Sequence, residues 1–260
     1  MPGRESVART LHVAGGVALF CSLLVSSAVY WLRPIQRAYE TIDRNRAILV
    51  AAGLIAADAT LTDGEIVRQF LRFDVQLVDL DRGEVAAEDD VAARQYDYAS
   101  AASDLARSRE TAAGKDAIGL GRRPLLMPVY VLRDGPIVER IVFPVFGRGM
   151  WSTIHAYVGL EGDFFTVAGV DFFDHGETPG IGDRIENPNW TASWRGKRLL
   201  DQRGDRLLRI GGSANGSRGE ESVDAITGAT VTVTAVDRIV GYWFGADGYG
   251  PFLSTLRATD

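Results

Sequence analysis

The chain has 260 residues, 46% of them hydrophobic, and a formal net charge of −6. That length suffices for one sizeable domain plus accessory segments, and the mild acidity argues against a basic nucleic-acid-binding surface, so no nucleic-acid partner is expected. With one cysteine, Cys21, and three scattered histidines, His12, His155 and His175, no internal disulfide, thiolate-ligated cluster or protein-bound metal is expected.

A short tail, residues 1–10, precedes residues 11–32, a run of 22 without a formal charge. A helix of that length crosses a hydrocarbon core of roughly 30 Å, and Tyr30 and Trp31 end it where an aromatic belt is expected. The rival is a cleaved signal peptide with a small-residue site at Ser26-Ser27-Ala28. The apolar run is longer than a usual signal core and continues past that site, so it reads as a retained transmembrane anchor. Arg4 and Arg9 precede the span, while Arg33, Arg37, Arg44 and Arg46 follow it. By itself that count puts the C-terminal side in the cytoplasm.

Residues 33–125 read as a helical stalk, over 34–58, and the N-terminal part of a soluble domain. Thr62 or Asp63 caps a short helix carrying Ile66, Val67, Phe70 and Leu71, and a second, Ala-rich helix is expected over 91–111. From 126 to 260 the pattern changes. Residues 127–132 and 137–146 form a hairpin around Asp134-Gly135, and 153–160 and 164–173 are two further strands. Residues 174–200 are a long Gly- and Pro-rich loop. A short strand is expected at 207–210 and a helix over 231–244, with Val233, Val236, Ile239, Val240 and Trp243 at helical spacing. The fold class is α+β, an antiparallel sheet flanked by helices, with one N-terminal transmembrane helix.

Three segments are candidates for chemistry. Residues 224–230 read D-x-x-T-G-A-T, a Gly turn that presents two hydroxyls and runs into a helix. Backbone N–H groups at a helix start attract phosphate, and a threonine held there can bond to one or be esterified by one; taken alone, the string equally fits a turn capping an ordinary helix. His175-Gly176-Glu177-Thr178-Pro179-Gly180-Ile181-Gly182 follows a strand and can bring backbone amides to a planar ligand, or simply turn the chain. Gly147-Arg148-Gly149-Met150-Trp151-Ser152-Thr153 offers Trp151 to a flat ring and Ser152 or Thr153 to a phosphate, although a core tryptophan is the commoner fate; Trp190 and Trp194 read as packing residues. Asn189-Trp190-Thr191 and Asn215-Gly216-Ser217 match the glycosylation sequon, a pattern frequent by chance.

The heptapeptide resembles the flavinylation motif of the FMN-binding domain family. With the segments 147–153 and 175–182 before it and Gly248-Tyr249-Gly250-Pro251-Phe252-Leu253 after it, in that order, it resembles the C subunit of the bacterial Na+-translocating NADH:quinone reductase, from about residue 140 to the last residue. The resemblance implies FMN joined by a phosphoester to Thr230. Trp151, Ser152, Glu177, Thr178, Ile181, Thr227, Gly228 and Ala229 would line the site, with Asp224 recognised by the Mg2+-dependent flavin transferase that attaches FMN. Ile181 and Thr227 stand where the family more often has Leu and Ser. It also implies an electron carrier in the bacterial inner membrane with its soluble domain in the periplasm, against the arginine count. Its partners would be the other membrane subunits, and it would have no catalytic acid or base of its own and little NADH oxidase activity alone. The G subunit of the Rnf ferredoxin:NAD+ complex and a non-enzymatic anchored sensor or assembly module are the alternatives.

Overall fold

The structure, a computed structural model, describes residues 4–87, 90–111, 116–212 and 221–259; the sequon at Asn215 lies outside them. Its contacts divide the chain into two units, Met1–Asp43 and Arg44–Asp260. In the first unit the chain is helical throughout its described part, within α1 (Arg4–Ala51). Val7–Arg33 is long and apolar enough to cross a membrane, and none of it is buried against protein. Ser27 donates its hydroxyl to the Leu23 carbonyl at 2.7 Å, so that polar group is satisfied inside the helix.

The second unit is an antiparallel sheet flanked by helices. It begins with the last turns of α1, which stop at a Schellman cap. Gly53 takes φ 70°, its N–H donates to Val50 O, and the Leu54 N–H donates to Leu49 O. Glycine is the residue that accepts this conformation without strain, so the helix ends at Ala51 rather than near residue 58. Then come α2 (Asp63–Phe70), β1 (Phe73–Asp79) and β2 (Glu84–Ala87). The single helix expected over 91–111 is broken. Asp97 accepts the Ser100 N–H at 3.0 Å and starts a new helix, which leaves α3 (Asp90–Arg94), α4 (Tyr98–Ser103) and a strand, β3 (Ser108–Glu110), paired with β4 (Arg122–Pro124).

Next follow β5 (Leu126–Asp134), β6 (Ile137–Arg148), β7 (Thr153–Glu161) and β8 (Val167–Asp174). Their sheet has the order β2-β1-β5-β6-β7-β8. It therefore draws strands from both sides of residue 125, and β1 aligns with β5 from Phe73↔Leu132 to Asp79↔Leu126. Strand β8 starts three residues later than the sequence suggests. Asp163 accepts the N–H groups of Phe165 and Thr166, and Phe164 has φ 60°, which holds 162–166 as a turn. Beyond it lie a 3-10 turn (Gly182–Glu186), α5 (Pro188–Ala192), β9 (Arg209–Ile210), β10 (Ser222–Val223), α6 (Thr230–Trp243) and α7 (Gly250–Thr259).

Both sheet faces are covered. On one, Val129, Phe143, Val145, Val158 and Phe172 pack with Val233, Val236 and Ile239 of α6. Strand β5 pairs with β6 only as far as Val142. Past that point the β6 carbonyls find side chains, Trp243 Nε1 donating to Phe146 O at 2.6 Å and Tyr249 OH to Pro144 O at 2.7 Å. Pro144, which has no N–H, sits where no ladder partner is needed. On the other face Gly159 and Gly169 stand directly opposite each other. A Cβ on Gly159 would lie 2.0 Å from Ala51 O, and one on Gly169 2.9 Å from the same oxygen, so the paired glycines let the end of α1 lie directly on the sheet.

Candidate functional site

The three candidate segments meet at one end of the sheet. Strand β6 leads into 149–152, a turn closed by the Gly149 N–H donating to Ser152 O at 2.8 Å. Strand β8 leads into 175–182, where the N–H groups of Ile181 and Gly182 both donate to Thr178 O. The third segment is the start of α6. Gly228 takes φ 86°, the Ala229 N–H donates to Ile226 O, and the Val233 N–H to Ala229 O.

Glu177 joins all three. Its side chain turns inward and the residue is 4% exposed. Oε1 accepts the N–H groups of Met150 and Trp151 at 3.0 and 3.1 Å, and Oε2 accepts the Thr232 hydroxyl at 2.5 Å. A buried carboxylate needs such donors, since stripping its water without replacement costs several kcal/mol. Two glycines make room for it. A Cβ on Gly149 would meet Glu177 Oε1 at 2.6 Å, and one on Gly182 would meet Glu177 Cβ at 2.9 Å and Thr232 Oγ1 at 3.0 Å. Thr232 is the member sequence reasoning missed, and Gly149 and Gly182 lie inside the candidate segments without a role of their own assigned there. Thr232 was legible only as a hydroxyl residue two places beyond the motif.

The outer surface of the site is apolar and open. Trp151, expected either on a flat ligand or in the core, is 65% exposed, and its Nε1 donates to Thr178 Oγ1 at 3.0 Å. Ile181 is 45% exposed, and its Cγ2 lies 3.7 Å from where a Cβ on Gly228 would stand. Thr227, Gly228 and Thr230 are exposed and Ala229 is buried. Ser152 Oγ accepts the Gly176 N–H at 2.5 Å and donates to Thr153 O, so that hydroxyl is spent on joining two segments. Thr230 is the first residue of α6, whose N-cap, Ala229, provides no side-chain bond. The first-turn N–H groups therefore lack an intrahelical acceptor and suit a phosphate. Asp224 is exposed, with its carbonyl held by Trp190 Nε1 at 2.8 Å. Among the described residues no cluster suited to a metal ion occurs.

Charged groups lie behind the 175–182 loop. His175 Nδ1 accepts the Glu177 N–H, which leaves the proton of a neutral ring on Nε2, 2.7 Å from Glu186 Oε1. Nearby, burial raises the Asp171 carboxyl from 3.8 to about 7, the Glu186 charge adds to the shift, and Arg46 opposes it.

The chain has clear relatives. Residues 149–244 match the FMN-binding domain family model. The chain is 36% identical over 257 residues to the C subunit of the Na(+)-translocating NADH-quinone reductase of Vibrio parahaemolyticus, with 97% of this chain and 96% of that one covered. It is 37% identical over 261 residues to the protein of the same name from Pseudomonas aeruginosa, with 99% and 98% covered. The crystal structure of Shewanella oneidensis NqrC superposes with a TM-score of 0.73 at 33% identity, over 85% of this chain and 99% of that one.

Two outcomes follow from the geometry. Thr232→Val leaves Glu177 Oε2 buried without its donor, and should lower unfolding stability by about 1–3 kcal/mol while Thr232→Ser restores most of it; denaturant melts of the detergent-solubilised chain measure both. Asp171 behaves oppositely to a paired carboxylate. Its folded-state pKa is raised, so its contribution to stability is fully present below the unfolded value of 3.8 and is lost as pH rises toward 7. Asp171→Asn should therefore be more stable than the parent by roughly 1–3 kcal/mol near pH 8, with the gap closing near pH 4. A gap independent of pH in thermal melts would refute the assignment.

Proposed function

The chain belongs to the family of the C subunits of the Na(+)-translocating NADH-quinone reductase, and on that premise we propose that it is a membrane-anchored electron carrier whose FMN is esterified to Thr230. The observation that carries this reading is that Thr230 is an exposed hydroxyl-bearing residue at the start of an uncapped helix, bordered by an exposed apolar platform. When bound, FMN supplies one- and two-electron transfer. The protein supplies attachment and placement. Thr230 tethers the phosphate, and the first-turn N–H groups of α6, reached across the side-chain-free Gly228, receive its charge. Trp151 and Ile181 give the ring an apolar surface, Thr178 fixes the indole by its hydrogen bond, and Thr227 and Ala229 flank the linkage. Ser152 and Glu177 act from behind, by holding the turns together. No side chain is required as an acid or base. Electrons enter and leave through the other subunits of the complex, so the isolated chain has little NADH oxidase activity. The named relatives favour the quinone-reductase branch over the ferredoxin-linked one.

Attachment needs an activated donor, because esterifying a hydroxyl with free FMN expels water into water. In the proposed reaction Thr230 Oγ attacks the FMN phosphorus of a flavin dinucleotide. The Oγ–P bond forms, the P–O anhydride bond breaks, the nucleoside monophosphate leaves, and the hydroxyl proton passes to a base of the Mg2+-dependent transferase. With the transferase coexpressed, Thr230→Val should abolish flavin fluorescence of the denatured band, and Thr227→Val should retain some; covalent flavin in the Thr230 variant overturns the assignment.

We also propose that Val7–Arg33 anchors the chain in the inner membrane, with the domain in the periplasm and the N-terminus in the cytoplasm. The arginine count opposes this less than it first suggests. Arg46 donates to the carbonyls of Ala57 and Ala59 at 2.8 and 2.7 Å, and Arg44 and Arg46 both belong to the second unit. Without those two, Arg33 and Arg37 only balance Arg4 and Arg9. Alkaline phosphatase fused after residue 260 should be active; an inactive phosphatase with a fluorescent cytoplasmic reporter at the same place would reverse the topology.

A further inference from the structure

The two ring nitrogens of His175 make opposite demands. The side chain is 4% exposed. Nδ1 accepts the Glu177 N–H at 3.3 Å, a contact that exists only while that nitrogen carries no proton. Nε2 lies 2.7 Å from Glu186 Oε1, yet it is buried and forms no hydrogen bond, so the two are close without being aligned. That contact is chiefly electrostatic and strengthens when the ring is charged. A neutral ring holds the loop amide, and a charged ring satisfies Glu186 and releases the amide. The released amide leads straight to the platform. Thr178 follows Glu177, and its Oγ1 accepts the Trp151 indole N–H at 3.0 Å. Its carbonyl takes the N–H groups of Ile181 and Gly182. The Glu177 carboxylate is occupied by Met150, Trp151 and Thr232. The other charged groups of the region are Asp171 and Asp174 on β8, His155 on β7, Arg46 on α1, and Asp183 and Arg184 in the 3-10 turn. Asp171 interacts with Glu186 and Arg46, and Asp174 with His155.

We propose that His175 is a proton-operated positioning residue for the platform: a proton taken up at Nδ1 frees the Glu177 N–H and shifts Thr178 and, through it, Trp151. The inference rests on the reading above that Trp151 and Ile181 carry the flavin ring. The proton comes from water, which reaches the pair through Glu186, whose side chain is 53% exposed. The Glu186 carboxylate steadies the imidazolium that forms. No other bond is made or broken. The result is a flavin seat that responds to the acidity of the compartment the domain faces.

The test follows the Trp151 indole N–H by heteronuclear NMR in the full-length, detergent-solubilised, flavin-free chain, with Trp151→Phe giving the assignment. In the parent that signal should move sigmoidally between about pH 5 and 8, the range in which histidine changes charge. His175→Asn keeps an acceptor oxygen near the place of Nδ1 and cannot be charged, so it should hold the signal at the parent's high-pH position throughout. Glu186→Gln removes the anion that favours the charged ring and should move the transition to lower pH. Asp171→Asn should retain the transition, which excludes Asp171 as its source. A parent signal indifferent to pH, a transition that survives in His175→Asn or vanishes in Asp171→Asn, or one unmoved by Glu186→Gln overturns the proposal. Glu186 is half exposed, so its Gln variant keeps the test open even if His175→Asn does not fold. In the chain loaded with flavin, the visible absorption spectrum should follow the same transition. A spectrum that ignores it while the indole titrates removes the flavin from this platform and leaves the proton link standing.

Discussion

A carboxylate that leaves water must be met by donors, and the site is arranged around that demand at Glu177. Its two oxygens draw in two N–H groups from the β6–β7 turn and one hydroxyl from the first turn of α6. Those three bonds require the three segments to converge. The convergence in turn excludes side chains at 149 and 182, where a Cβ would strike the carboxylate or its partners. It also fixes where α6 starts, and with it the outward presentation of Thr230. Removing one partner from such an arrangement leaves the full desolvation penalty behind. The residues that present the outer surface therefore owe their positions to a group that never reaches it.

The elements most legible in the sequence were those whose local rules agree with the fold. The Asp134-Gly135 hairpin, β7 and the apolar stripe of α6 appear where their periodicities place them, while β8 begins three residues late. The same holds for the single apolar helix and for the α+β class. The region before residue 125 was less legible because its cues conflict. Phe73, Val75 and Leu77 do alternate, but the partner of β1 lies some fifty residues further on, and nothing local announces that pairing. The Ala-rich run over 91–111 has helical propensity, yet Asp97 captures a backbone N–H and restarts the chain. In the site, the motif residues announced themselves as short strings. Thr232 did not, because its significance depends on a carboxylate 55 residues earlier.

A covalent tether and an open binding surface belong together. Trp151 and Ile181 are too exposed to enclose a flat ring and retain it by burial alone. The proposed ester at Thr230 would keep such a cofactor without a closed pocket and leave one side of the ring free to meet partner subunits. On the proposed periplasmic side, where a lost flavin could not be replaced from the cell's pool, that arrangement would have an evident use. The proposed anchor adds a second restraint by confining the domain to the membrane plane, which turns encounters with partners into a local search.

The incomplete pairing of β6 has a consequence for the behaviour of the protein among other unfolded or partly folded chains. Among the described residues no strand pairs with β6 on the β5 side beyond Val142, the Arg148 N–H donating instead to Ile118 O at 2.7 Å, and an unpaired stretch of this kind invites a foreign strand to add to the sheet. Here the invitation is withdrawn. Pro144 can offer no N–H, its carbonyl is occupied by Tyr249, and the Phe146 carbonyl is occupied by Trp243. The same aromatic residues that fill the core thus act as stoppers on the sheet, and guard the chain against intermolecular aggregation along that seam.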